Sequence, residues 1–176
     1  MKMNMFFAGS GGQGALAIGQ MIAKAGMEEG RSVTWMPSYG PEMRGGTANC
    51  TVIVSDKEIS CPLINDADVL VAMNLPSLKK FESMVVPNGY IFINSSVCPE
   101  TSSRKDVHVI EVPANDKAIE LGNDKASNIV MLGAVLNATG VCKKATIQHQ
   151  MEKTFTGRKA KFLDANMAAL DLYCKG

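Results

Sequence analysis

Gly9-Ser10-Gly11-Gly12-Gln13-Gly14 constrains this chain more than any other stretch. It follows a short apolar run, Met3 to Ala8, and opens a segment of helical periodicity. A strand, a glycine turn and a helix start in that order predict a tight βα unit. The glycines let the backbone turn sharply and let another molecule come close. The unsatisfied N–H groups of the helix end then face that molecule, which favours an anion. The strand is expected at 2–8 and the helix at 12–29, with Ala15, Ile18, Ile22 and Ala25 on one apolar stripe. Gly30 is placed to stop that helix.

Further strands are expected at 31–36, 48–55, 68–74, 90–94 and 107–112, with a short one at Ile59 and Ser60. Asp68 to Asn74 is apolar between polar ends, as in a central parallel strand buried on both faces. Helices are expected at 76–84, 115–121, 125–138, 144–153 and 159–174. Asn123 and Asp124 can cap the third of these five and Gly140 can end it. In the last, Phe162, Ala165, Ala169 and Leu172 form the expected buried stripe. Alternating strands and helices predict one domain over 1–176, a three-layer α/β/α fold with a mainly parallel, Rossmann-like sheet. Strand signals across 48–60 allow a hairpin there, and with it a mixed sheet. A crevice is expected at the carboxyl ends of the strands, where loops 9–14, 37–47 and 74–77 should gather.

The 176 residues are 46% hydrophobic and 20% charged, with a formal charge of +1. That balance gives no field for nucleic acid or an anionic membrane. No apolar run reaches the roughly 18 residues of a membrane span. The apolar start ends at Gly9, too soon for an export signal, so a cytoplasmic protein is expected. The five cysteines are spread out and include no C-x-x-C, so neither a zinc site nor an iron–sulfur cluster is expected on this chain. Free thiols packed in the core are the expectation. His108 and His149 read as structural or solvated, and no nucleophile–base, paired-acid or Walker pattern occurs. No catalytic residue and no metal ligand is therefore assigned.

Gly9, Gly11 and Gly14 fit the G-x-G-x-x-G spacing of dinucleotide sites. Such a site also needs an acid about 20 residues on, to hold ribose hydroxyls. Here the second strand runs into Pro37-Ser38-Tyr39-Gly40, and the nearest acid, Glu42, lies inside another loop. That loop, Tyr39 to Thr47, has glycines at both ends and Pro41 in the middle. Arg44 offers a planar fork suited to carboxylate or phosphate, or else pairs with Glu42 or a nearby carbonyl. Both readings stand on spacing alone. A loop carrying Tyr, Glu, Met and Arg together reads as a contact surface.

With these two loops the chain resembles the gamma subunit of 2-oxoacid:ferredoxin oxidoreductases. The matching stretches are Gly9 to Gly14, Pro37 to Cys50, Asp66 to Asn74, Pro76 to Phe81, Glu120 to Asn123 and Asn128 to Ala134. The resemblance implies oxidative decarboxylation of a 2-oxoacid to an acyl-CoA, with electrons passed to ferredoxin. It implies thiamine diphosphate, coenzyme A and iron–sulfur clusters in an assembled complex, the first and last mainly on partner chains. The implied partners are alpha and beta type catalytic subunits and a ferredoxin-like delta subunit, with the isolated chain inactive and able to form a homodimer. The Tyr39 to Gly46 sequence looks closer to 2-oxoglutarate and branched-chain members. The cofactor-facing residues implied are Gly9, Gly11, Gly12, Gln13, Gly14, Tyr39, Glu42, Arg44, Gly45 and Gly46. Two other readings remain: a stand-alone dinucleotide-binding protein, and an interaction module without a ligand.

Overall fold

The computed structural model describes residues 1–39 and 46–175, with Tyr39 described by its backbone. Six strands form one sheet in the order β2-β3-β1-β4-β5-β6. They are β1 (Lys2–Ser10), β2 (Ser32–Tyr39), β3 (Thr47–Ser55), β4 (Ala67–Ala72), β5 (Val85–Asn94) and β6 (His108–Val112). β1, β4, β5 and β6 run parallel, while β3 is antiparallel to both β1 and β2. The sheet is therefore mixed, as the hairpin signal allowed, but the hairpin joins β2 to β3. The short strand expected at Ile59 and Ser60 does not form. Both edges of β3 are already paired, so that segment cannot form a hairpin with β3.

The helices are α1 (Ala15–Glu28), α2 (Leu75–Phe81), α3 (Ala114–Glu120), α4 (Ser127–Thr139), α5 (Lys144–Thr154) and α6 (Leu163–Asp171). The two outer layers are unequal. Met5, Phe7, Val52, Val54, Val69, Val71 and Phe92 point to the side where α1 and α4 lie, with α5 and α6 packed behind them. The alternate residues Phe6, Ala8, Leu70, Ala72, Ile91 and Ile93 pack on the other side against Leu78 of α2 and neighbouring loops. This period-two split follows from strand geometry. The expected α1 stripe is buried throughout, at Ala15, Ile18, Ile22 and Ala25. Gly19 lets α1 settle on β3, because a Cβ there would sit 2.4 Å from Cys50 Sγ.

Four expected elements change form. The helix at 125–138 opens as a 3₁₀ turn over Asp124–Ala126 capped by Asn123, with α4 following from Ser127 and no side-chain cap of its own. The helix at 76–84 is α2 followed by a 3₁₀ turn over Glu82–Met84. β5 starts at Val85, ahead of Tyr90, and absorbs Pro87-Asn88-Gly89 as an irregularity in which Asn88 has φ 64°. The segment 159–174 divides into a 3₁₀ turn, Gly157–Phe162, and α6. That break rotates the helix, so Asn166, Ala169 and Leu170 are buried while Phe162 and Leu172 are exposed. The predicted stripe assumed one continuous helix.

Candidate functional site

β1 delivers the glycine turn to the carboxyl edge of the sheet, where it is tied down from three sides. Gln13 Oε1 accepts hydrogen bonds from Ser10 N at 2.7 Å and Asn74 Nδ2 at 2.9 Å. Its Nε2 donates to the Met73 carbonyl at 3.1 Å. Asn74 also donates to Ser10 Oγ and caps α2 by accepting from Ser77 N, each at 2.9 Å. The Gly11 N–H donates to the Gly46 carbonyl at 3.0 Å, which brings the end of the second loop alongside. Loops 9–14 and 74–77 gather at this edge with Gly46. Of the expected loop 37–47, Pro37–Tyr39 end β2 and 40–45 lie outside the described residues. A Cβ on Gly9 would lie 2.9 Å from both Gln13 Oε1 and Met73 Cβ, so the strut between β1 and β4 requires glycine there.

Gly12 and Gly14 both have left-handed backbones, with φ 92° and 80°. This geometry swings the chain into α1, whose N-terminus has no side-chain cap and no acid in its first turn. Its orphan N–H groups and dipole leave a positive end at the turn. A cavity of about 350 Å³ opens there, lined by Gly12, Gln13, Gly14, Met73, Asn115, Asp124, Lys125, Ser127 and Asn128. Asn128 Nδ2 approaches the Gly14 carbonyl at 3.4 Å. The lining offers backbone N–H groups, amides and one lysine, against one carboxylate. It can hold an anion, and it contains no nucleophile–base pair.

The structure brings together five of the residues the sequence assigned to the site: Gly9, Gly11, Gly12, Gln13 and Gly14, with Gly46 beside them. Gln13 differs from the rest, because its side chain spans β1 and β4 rather than standing free. Tyr39 is the last residue of β2, and Glu42, Arg44 and Gly45 lie outside the described residues. Asn115, Lys125, Ser127 and Asn128 were not singled out from sequence. Asn128 opens one of the stretches carrying the family resemblance, and that was the available signal. His149 contacts Glu28 at the opposite end of α1 from the turn, and His108 lies against Tyr90 with tilted rings, their centroids 5.0 Å apart. Burial pushes the thiols of Cys50 and Cys142 up to about 12, so both remain protonated and poor nucleophiles. Among the described residues all five cysteines are free, four of them buried and Cys61 exposed.

The family model described as pyruvate ferredoxin/flavodoxin oxidoreductase matches residues 4–173. The chain belongs to this family. Among its family relatives it is 38% identical over 172 residues to ketoisovalerate oxidoreductase subunit VorA of Methanothermobacter marburgensis, covering 97% of this chain and 35% of that protein. The chain thus spans about a third of the length of such relatives. It is 29% identical over 184 residues to 2-oxoglutarate synthase subunit KorC of the same organism, covering 100% of this chain and 99% of that protein. Its fold matches the gamma subunit of a keto/oxoacid ferredoxin oxidoreductase from Geobacter sulfurreducens, with TM-score 0.84 and 24% identity over 98% of this chain and 96% of that one. In this oxidoreductase-family fold the antiparallel β3 stands between β1 and β2. A dinucleotide site needs the carboxyl end of a parallel second strand next to the first. Here that place is taken by the beginning of β3, at Thr47.

Proposed function

We propose that this chain is the gamma subunit of a thiamine diphosphate-dependent 2-oxoacid:ferredoxin oxidoreductase. Its substrate is 2-oxoglutarate or a branched-chain 2-oxoacid, and its product is an acyl-CoA. The observation that carries the reading is the donor-lined cavity at the uncapped start of α1, with no catalytic group in its lining. Such a site binds and encloses, and the bond-making groups belong to other chains. Thiamine diphosphate, held mainly by alpha and beta type subunits, supplies the electron sink for decarboxylation. A ferredoxin-like delta subunit and the clusters lead electrons to ferredoxin.

The work of this chain is then positional. The Gly12–Gly14 turn and the first N–H groups of α1 receive a phosphate or carboxylate, from a cofactor, from coenzyme A or from a partner side chain. Arg44 adds charge-assisted hydrogen bonds from the neighbouring loop. Closing the partners' site excludes water from the reacting carbon. Reconstitution with and without this chain tests the proposal. Viologen reduction across pyruvate, 2-oxoglutarate and branched 2-oxoacids should require the chain, and full turnover by the partners alone would end it. A parallel titration with NAD, NADP and FAD should show no binding.

A further inference from the structure

We propose that Asn94 and Asn115 are a positioning pair that turns one amide donor into the cavity beside the glycine turn, making it selective for a phosphate group. This rests on the anion-binding role proposed above. Asn94 is the last residue of β5 and is fully buried, at 0% exposure. Its Nδ2 donates to Asn115 Oδ1 at 2.9 Å. Its own Oδ1 is buried and meets no donor among the described residues. An amide in the core with one atom unsatisfied is costly, and an apolar residue would fill the place with less penalty.

The benefit appears one residue further out. Asn115 lines the cavity, and a free Asn amide can present either its donor or its acceptor. In this structure the Asn94 Nδ2 donates to the Asn115 oxygen, which leaves Asn115 Nδ2 as the end for the cavity. Docking of α3 does not depend on this bond. Ser96 Oγ donates to Asp116 Oδ2 at 3.0 Å and accepts from Asp116 N at 3.1 Å, anchoring the same helix from the next residues. Asn115 Nδ2 thus joins the backbone donors of the turn, Lys125 and Asn128. Several donors converging from different elements suit the three oxygens of a phosphate better than the two of a carboxylate.

The test uses the full chain and inorganic pyrophosphate, followed by nitrogen-15 NMR. In the wild type, pyrophosphate should shift the backbone signals of Gly12 and Gly14 and the side-chain NH₂ of Asn115. Acetate should shift them far less. Asn115→Asp keeps an acceptor for Asn94 while removing the donor, and should weaken pyrophosphate binding by roughly tenfold to a hundredfold. Asn94→Leu should weaken it and broaden the Asn115 NH₂ signals. Ser96→Ala, which loosens α3 without touching the cavity, should leave affinity unchanged at comparable stability. If Asn94→Leu does not fold, Asn115→Asp decides. Movement of the glycine signals without Asn115, or wild-type affinity in Asn115→Asp, would overturn the pair and leave the anion reading standing. Equal binding of acetate would overturn the phosphate assignment. No shift at Gly12 or Gly14 in the wild type would overturn both.

Discussion

Gly12 and Gly14 adopt similar backbones under different constraints. A Cβ on Gly12 meets nothing within 4 Å, whereas one on Gly14 would lie 2.4 Å from Asn128 Nδ2. Gly12→Ala should therefore cost only the left-handed backbone penalty, on the order of 1 kcal/mol. Gly14→Ala adds a clash at the start of α4 and should cost about 2 kcal/mol or more. Denaturant unfolding of the two variants checks the difference. Under the proposed function, Gly12→Ala should lose more turnover in the assembled complex than its stability explains, since that proposal puts the ligand or partner on the open side of Gly12. Gln13→Ala removes two accepted bonds and one donated bond and should lower stability by about 2 kcal/mol. Gln13→Glu should not restore it, because a carboxylate oxygen would then face the Met73 carbonyl.

At the scale of elements, the helical layer is packed through one apolar cluster, and one carboxylate and one close approach within it give separate tests. Glu28 on α1 receives His149, Gln150 and Lys153 from α5. The hydrogen bond from His149, aided by Gln150 and the nearby positive charges, holds its carboxyl below the usual range against a smaller opposing effect of burial. A carboxyl lowered in the folded state stabilises fully above its unfolded value, and that contribution fades as pH falls through the folded one. Glu28→Gln should thus lower Tm near neutral pH, and the gap should close below about pH 4. Thermal melts of both proteins across pH measure it. The α4–α6 contact depends on Gly133, where a Cβ would lie 2.5 Å from the Leu170 carbonyl. Gly133→Ala should cost about 1–3 kcal/mol by forcing the helices apart, read from the chemical denaturation midpoint.

For the whole molecule, the subunit reading predicts a surface that partners cover. Met36 and Leu63 are exposed at 40% and 70%. The isolated chain should self-associate as concentration rises, and partner subunits should raise its stability. Light scattering and melting with partners check this, and a strict monomer unaffected by partners would count against the subunit reading. The sequence by itself determined the βα glycine turn, the buried α1 stripe, the run of β4 and the family. Each of these is written in a short window, where glycine spacing or apolar period is enough. Only the tertiary structure decided the antiparallel place of β3 and the absence of a strand at Ile59, because pairing depends on which edges other strands have taken. It also decided which face of α6 is buried, since the 3₁₀ turn and the Gly133 contact reset the helix. The cavity belongs to the same class: Asn115, Lys125 and Asn128 are distant from Gly14 in the chain, and only the fold, by gathering the segments that follow the carboxyl ends of the parallel strands, makes them neighbours.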